Sequence, residues 1–322
     1  MHPAAGPPRT LHCMSTRRAA FTLIELLVVI AILAILMGII LVSVRSVYRT
    51  ALKTDELSRI KQLGNAWLMY SQSHRDSMVA GWMDHTAQVR RDLHQVYPDL
   101  TEIPPAPDWD PSRENVAGYW TWQLLPYLDH SWPVIRGHLP EDEQTVEDFQ
   151  NDGLDVALTP GFGYNGWYLG GQWARWDPHY PNASLRFANV ELADGSKENL
   201  VVTSIPSLKR STEVVAFCSS FSAEEPGNAP SPDTATAGSW LVEPRILAGE
   251  HRWEIDDQNR VVILNETHAP LTRFTDQAAC WFPDGHAAGL SNEELADQRR
   301  WIDAARRVGN NDPWNFTHQD DR

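Results

Sequence analysis

The sequence predicts an α+β protein: one long N-terminal helix followed by a domain built on mainly antiparallel β-sheet. Three observations carry this expectation. An apolar run from Phe21 to Val44 contains a single charged residue, Glu25. Beyond it, Leu52, Leu57, Ile60, Leu63, Trp67 and Tyr70 recur at steps of three to five, one stripe on a helix. Residues 200–205, 213–221, 260–264 and 278–290 are rich in β-branched and aromatic side chains between turn-forming segments, the pattern of strands.

The helix comes first. The 24 positions from Phe21 to Val44 make about 36 Å of helix at ~1.5 Å per residue, enough to cross a ~30 Å hydrocarbon core. A secretory signal peptide has a shorter apolar core and a small-residue cleavage site, and no A-x-A pattern precedes Arg45. A plain membrane anchor fits the length but leaves Glu25 unexplained, because a charge in a membrane helix costs several kcal/mol. Arg9, Arg17 and Arg18 precede the run, with no acidic residue among the first 20. The positive-inside rule then keeps the N-terminus cytoplasmic and exports the rest in a single pass. Past the run, residues 51–73 hold no Pro and one Gly, Gly64. One helix is therefore expected from near Phe21 to about His74. Lys53, Asp55, Glu56, Arg59, Lys61 and Gln62 decorate its outer side, and Gly38 sits in the lipid half, where small residues allow close approach.

The remaining elements follow in order. Residues 86–97 could form a short helix. Residues 103–111 hold four Pro and form a loop. Residues 224–238 form a second loop rich in Pro, Gly, Ala, Ser and Thr. Residues 278–290 form a hairpin whose turn is Asp284-Gly285, since both residues tolerate positive φ. A final helix is expected from about Asn292 to Val308, capped by Ser291 or Asn292 with Glu293 and Glu294 in its first turn. Residues 309–322 have the composition of a frayed tail.

Composition narrows the functional classes. The 322 residues carry a net charge of −15, which argues against nucleic acid as a partner and is the balance of a soluble domain. Of three cysteines, Cys13 precedes the helix. Cys218 and Cys280 lie in the part expected to be exported, where an oxidising compartment permits a disulfide between them; two buried free thiols are the alternative. Fourteen tryptophans could serve a core, a sugar-stacking surface or an interface. The chain has no G-x-S-x-G, H-E-x-x-H, P-loop or Cys-x-x-Cys. Residues 250–254 group acids and bases, but alternation on a strand accounts for them. No catalytic residue, cofactor or metal is expected. Asp284 is a weak candidate ligand for calcium, and Asp152, Asp155, Asp256 and Asp257 supply oxygens without EF-hand spacing.

The residues at the start of the helix point further. Ala20-Phe21-Thr22-Leu23-Ile24-Glu25 resembles the processing signature of type IV prepilins: a small residue, usually Gly, then Phe, Thr, Leu, any residue and Glu. The resemblance implies a pilin-like fold. It also implies cleavage between Ala20 and Phe21 by a prepilin peptidase, N-methylation of Phe21, and an assembly contact from Glu25 to the terminal amine of a neighbour. Met14 would start a short leader of the usual kind. The implied organisation is a leader (1–20), the transmembrane half of the helix (21–45), its extracytoplasmic half (46–75), a globular domain (76–308) and a tail (309–322). Implied partners are other pilin or pseudopilin subunits, an inner-membrane assembly platform and membrane lipid. The protein would sit in a bacterial inner membrane, its domain periplasmic or at the cell surface, as a structural subunit of a type IV pilus or type II secretion pseudopilus.

The globular part is similar to one bacterial family of prepilin-like proteins. Leu124-Leu125-Pro126-Tyr127-Leu128, Gly163-Tyr164-Asn165-Gly166 and Asp284-Gly285-His286 match its segments. The family has His ten positions before the Asp-Gly, and this chain has Phe274 there, next to Arg273. The alternative reading is a membrane-tethered binding module for glycan or protein, with the aromatic segments 119–132 and 167–176 as its surface.

Overall fold

The computed structural model describes residues 23–91, 95–96, 102–103, 116–137, 157–174, 184–191, 195–230, 238–273 and 276–305. Ala20, Phe21, Phe274, Trp176, Asp152, Asp155, the tail and most of the 103–111 loop lie outside these residues. One helix, α1, runs from Leu23 to Ser73, as the uninterrupted apolar pattern requires. Met1–Tyr48 and Arg49–Arg322 form two compact units.

In the first unit the apolar side chains of α1 face outward. Among the described residues every large exposed apolar side chain except Met69 and Val89 belongs to residues 23–48. Leu23–Ile40 is long and apolar enough to cross a membrane.

In the second unit α1 packs into a core. Ile60, Leu63, Trp67 and Tyr70 are buried, so the stripe legible in the sequence is the packed face. It rests on the main sheet, built from β1 (Phe162–Tyr164), β2 (Phe217–Ala223), β3 (Thr267–Pro270), β4 (Ala278–Trp281) and β5 (Ala287–Leu290). The long β2 pairs antiparallel with β1, β3 and β4, and β4 continues to β5. Side chains along a strand alternate between faces, and here both faces are buried. Phe217, Ala279 and Trp281 join α1 in one core; Cys218, Phe221, Cys280 and Phe282 join Trp253, Trp301 and Ile302 in another. Burial on both faces explains why β4, Ala-Ala-Cys-Trp, is a continuous apolar run instead of an alternating one. The segment before β2 is fastened to the C-terminal part. The Asp303 carboxylate accepts the Lys209 and Arg210 N–H groups, and the Arg210 guanidinium donates to the Ala305 and Arg299 carbonyls.

Gly64 is required by this packing. A Cβ at Gly64 would overlap the Trp281 indole, which is fully buried and stands edge-on to Trp67 at 5.5 Å. Gly64→Ala sets two effects against each other: helix propensity gains about 1 kcal/mol, whereas overpacking a closed core loses about 1–3 kcal/mol. Both rings are locked by neighbours, so packing wins. Thermal unfolding of the G64A chain is expected at a lower temperature than wild type, and an equal or higher temperature would refute the close contact.

Several elements depart from the sequence expectation. The second helix is His85–Arg91, ending short of Tyr97. Residues 200–205 form no strand. Val202 and Ser204 make single bridges to Leu169 and Ser77, and Pro206, which has no N–H, then turns the chain into a 3₁₀ turn at Ile205–Ser207. Residues 213–216 are a turn followed by single bonds to Arg300 and Trp281, so β2 starts only at Phe217. The hairpin turn is centred one residue earlier than expected. The Gly285 N–H donates to the Phe282 carbonyl, so Pro283 and Asp284 are the central pair, and Gly285 takes positive φ (97°) as the bulge residue. The last helix is Asn292–Leu295, with Ser291 and Glu294 forming a capping box. It does not run on, because the Asp297 side chain accepts the Arg299 N–H and starts a 3₁₀ turn at Gln298–Arg300.

Candidate functional site

Glu25 lies in the first turn of α1 and is exposed. The helix N-terminus carries partial positive charge, so a carboxylate is electrostatically well placed there. Around it are Leu23, Ile24, Leu26 and Leu27, all exposed. An apolar surface of this extent is stable only against lipid or other apolar helices.

A second polar group is deep inside the globular unit. Glu56 was expected on the outer side of α1, yet its side chain is 2% exposed, and so is that of Arg273. Arg273 Nε lies 3.2 Å from Glu56 Oε1, within ion-pair range but off the line a hydrogen bond needs. Ser219 Oγ donates to Glu56 Oε1 at 2.8 Å, and Arg273 Nη2 donates to the Gly161 carbonyl at 3.3 Å. Burial pushes the Glu56 carboxyl above its usual range, while Arg273 and then the Ser219 hydroxyl pull it back. Burial likewise lowers the Arg273 guanidinium, against the attraction of Glu56. Sequence reasoning missed this pair. Glu56 does lie one position before the apolar stripe residue Leu57, and Arg273 beside the Phe274 departure, but no spacing joins them.

The three segments that carried the resemblance in the globular part make contacts within the fold. Asn165 Nδ2 donates to the Val215 and Trp301 carbonyls, tying three parts of the chain together. The Tyr164 hydroxyl accepts from Trp67 Nε1 and donates to the Val79 carbonyl. In the Leu124–Leu128 stretch, Leu124 and Leu125 are buried and the Tyr127 hydroxyl lies 2.7 Å from Ser73 Oγ. At the hairpin turn, Asp284 Oδ1 lies 2.6 Å from His286 Nδ1 and accepts the His286 N–H, and the His286 ring stacks on Phe282. No group of three or more His, Cys, Asp or Glu with metal-binding geometry occurs among the described residues.

Cys218 and Cys280 are present as free thiols and not as a disulfide. They sit opposite each other in the β2–β4 ladder, with Sγ atoms 3.4 Å apart and no exposure. Burial holds the Cys218 thiol well above its ordinary range. The aromatic segment 119–132 offers no glycan surface through its tryptophans: Trp120, Trp122 and Trp132 are buried in the core shared with α1. Ser239 Oγ lies 2.7 Å from His268 Nδ1, the spacing of a nucleophile and base. Ser239 is completely buried and its hydroxyl also accepts the Leu241 N–H, which makes it a bridge within the fold.

An exposed apolar helix with a carboxylate in its first turn, joined to an α+β domain, defines a chain with a prepilin-type N-terminus. Residues 15–41 match the prokaryotic N-terminal methylation motif, overlapping the apolar helix and containing Glu25. No curated protein and no solved structure is significantly similar to the chain.

Proposed function

We propose that the protein is a structural subunit that a prepilin peptidase cuts between Ala20 and Phe21, that is N-methylated on Phe21, and that assembles through its N-terminal helix into a type IV pilus or type II secretion pseudopilus. The observation that carries this reading is the coincidence of the methylation motif with an exposed apolar helix that keeps one acidic residue. Before assembly the helix anchors the subunit in the inner membrane, N-terminus cytoplasmic, its apolar side chains in lipid. During assembly these side chains leave lipid for neighbouring helices, guided by the inner-membrane platform. Glu25 meets the amine of a neighbour's Phe21, which offsets the desolvation of both charges. The domain beyond Tyr48 does no chemistry and presents the subunit's outer surface.

Intact mass measurement and N-terminal sequencing of the protein from its native membrane test this. The expected chain starts at Phe21 and carries one added methyl group. A chain that keeps residues before Phe21 would overturn the reading.

A further inference from the structure

Cys218 and Cys280 are nucleophilic side chains that the proposed function leaves unused, and their placement is specific. Cys218 is the second residue of β2 and Cys280 the third of β4, and the two are direct partners in the antiparallel ladder. Directly opposed residues of an antiparallel pair have Cα atoms about 4.5–5.5 Å apart, inside the ~4.4–6.8 Å that a disulfide spans. Both side chains lie on one face of the sheet, in the core that holds Trp253 and Trp301. Cys280 Sγ donates to Cys218 Sγ at 3.4 Å. A covalent bond of ~2.04 Å asks each sulfur to move by about 0.7 Å. The ladder holds the pair in this register, with Trp281 opposite Phe217 as the next step. Cys13 precedes Phe21, so a chain cut after Ala20 keeps these two thiols and has no third cysteine to mispair with.

We propose that Cys218 and Cys280 are a modification site, closed to a disulfide by a disulfide-bearing oxidant as the exported domain folds. The proposal rests on the export of the domain in the reading above, because cytosolic thiols are kept reduced. The thiols of the structure are the substrate of the reaction. One cysteine, as thiolate, attacks a sulfur of the oxidant and forms a mixed disulfide, displacing the first oxidant thiolate. The second cysteine then attacks the sulfur of the first and displaces the other. The chain gives up two electrons and two protons, and the oxidant leaves as a dithiol. Neither cysteine is accessible in the folded unit, so the exchange takes place while β2 and β4 are still coming together. Folding then shuts the bond away from reductants in bulk solvent. The two positions are 62 residues apart, and a crosslink over a loop of that size removes much of the freedom of the unfolded chain. Arg273 lies within the loop and Ser219 next to Cys218, so the bond ties down the segments that enclose Glu56.

Thiol trapping on the protein from its native membrane tests this. The chain is denatured in N-ethylmaleimide with and without prior reduction, and its intact mass is read. The mature chain is expected to take up no maleimide until reduced, and then two. Two maleimides without reduction would overturn the proposal. The N-terminus read from the same preparation separates the two failures: free thiols on a chain that starts at Phe21 sink the disulfide alone, whereas an uncut chain sinks the export reading with it. Refolding of the wild-type chain in detergent with oxidised and reduced glutathione should close the same bond, and failure to close it would show that the ladder geometry does not permit it. Thermal unfolding of the oxidised chain is expected about 10 °C above that of the reduced chain. A chain with both Cys218→Ala and Cys280→Ala should show no such response to reductant. Equal unfolding temperatures for oxidised and reduced wild type would also overturn the proposal, and that comparison needs no variant to fold.

Discussion

A Glu25→Ala chain is expected to insert in the membrane and be processed normally, yet to be missing from filaments. Insertion should survive because the substitution removes a charge that costs about 2.5–3.5 kcal/mol in a membrane helix. Assembly should fail because the Phe21 amine of a neighbouring subunit would then move into an apolar helix bundle without a counter-charge, and breaking a buried ion pair by deleting one partner costs about 3–5 kcal/mol. Comparing the sheared-filament and membrane fractions by immunoblot reads the outcome directly. Filaments of normal yield from the E25A chain would remove the assembly contact from the proposed mechanism, and membrane levels matching wild type would show that insertion was unaffected.

The second large effect is expected at Arg273. Arg273→Met leaves the Glu56 carboxylate buried with only the Ser219 hydroxyl, a loss of about 3–5 kcal/mol in unfolding free energy. Glu56→Leu combined with Arg273→Met should recover most of that loss, since a buried ion pair replaced by apolar groups is often neutral or better. The size of the single-variant effect should depend on pH. The Glu56 carboxyl is raised above its ordinary range when folded, chiefly by burial. A group with a raised folded-state pKa binds protons more readily folded than unfolded. Its contribution therefore declines as pH rises from the ordinary glutamate range to the raised value. Without Arg273, which lowers that value, the window extends upward. The R273M chain should thus lose more stability near neutral pH than at mildly acidic pH. Urea unfolding of wild type, both single variants and the double variant at the two pH values measures the coupling; a double variant no better than R273M would show that the pair is not the source of the loss.

Much of the fold was legible in the sequence because its signals are local. The helix from Leu23 to Ser73 follows from a continuous apolar run joined to a stripe at helical spacing. The Ser291–Glu294 capping box is a four-residue pattern. The β4–β5 hairpin was expected from residues 278–290, although Pro283 shifted its turn by one position. Strand limits were legible only in part, since a run such as residues 213–221 shows that a segment is apolar but not where its ladder partner begins. The aromatic segment 119–132 was open to a glycan-binding reading for the same reason: tryptophan suits a core as well as a sugar surface, and burial alone separates them.

What the sequence determined by itself is the N-terminal identity: an apolar helix of membrane length, preceded by arginines and holding Glu25, within a match to the methylation motif at residues 15–41. Those properties lie within about forty adjacent residues and depend on solvation, which each side chain expresses without the rest of the fold. Tertiary structure decided the remainder. Glu56 is 163 positions from the Ser219 hydroxyl that binds it, Gly64 is constrained by Trp281, and Trp167 meets the Glu243 carboxylate 76 positions away. Whether a charge on α1 is solvated or paired, and whether a tryptophan is core or surface, depends on which distant segment packs over it, and no local pattern encodes that partner.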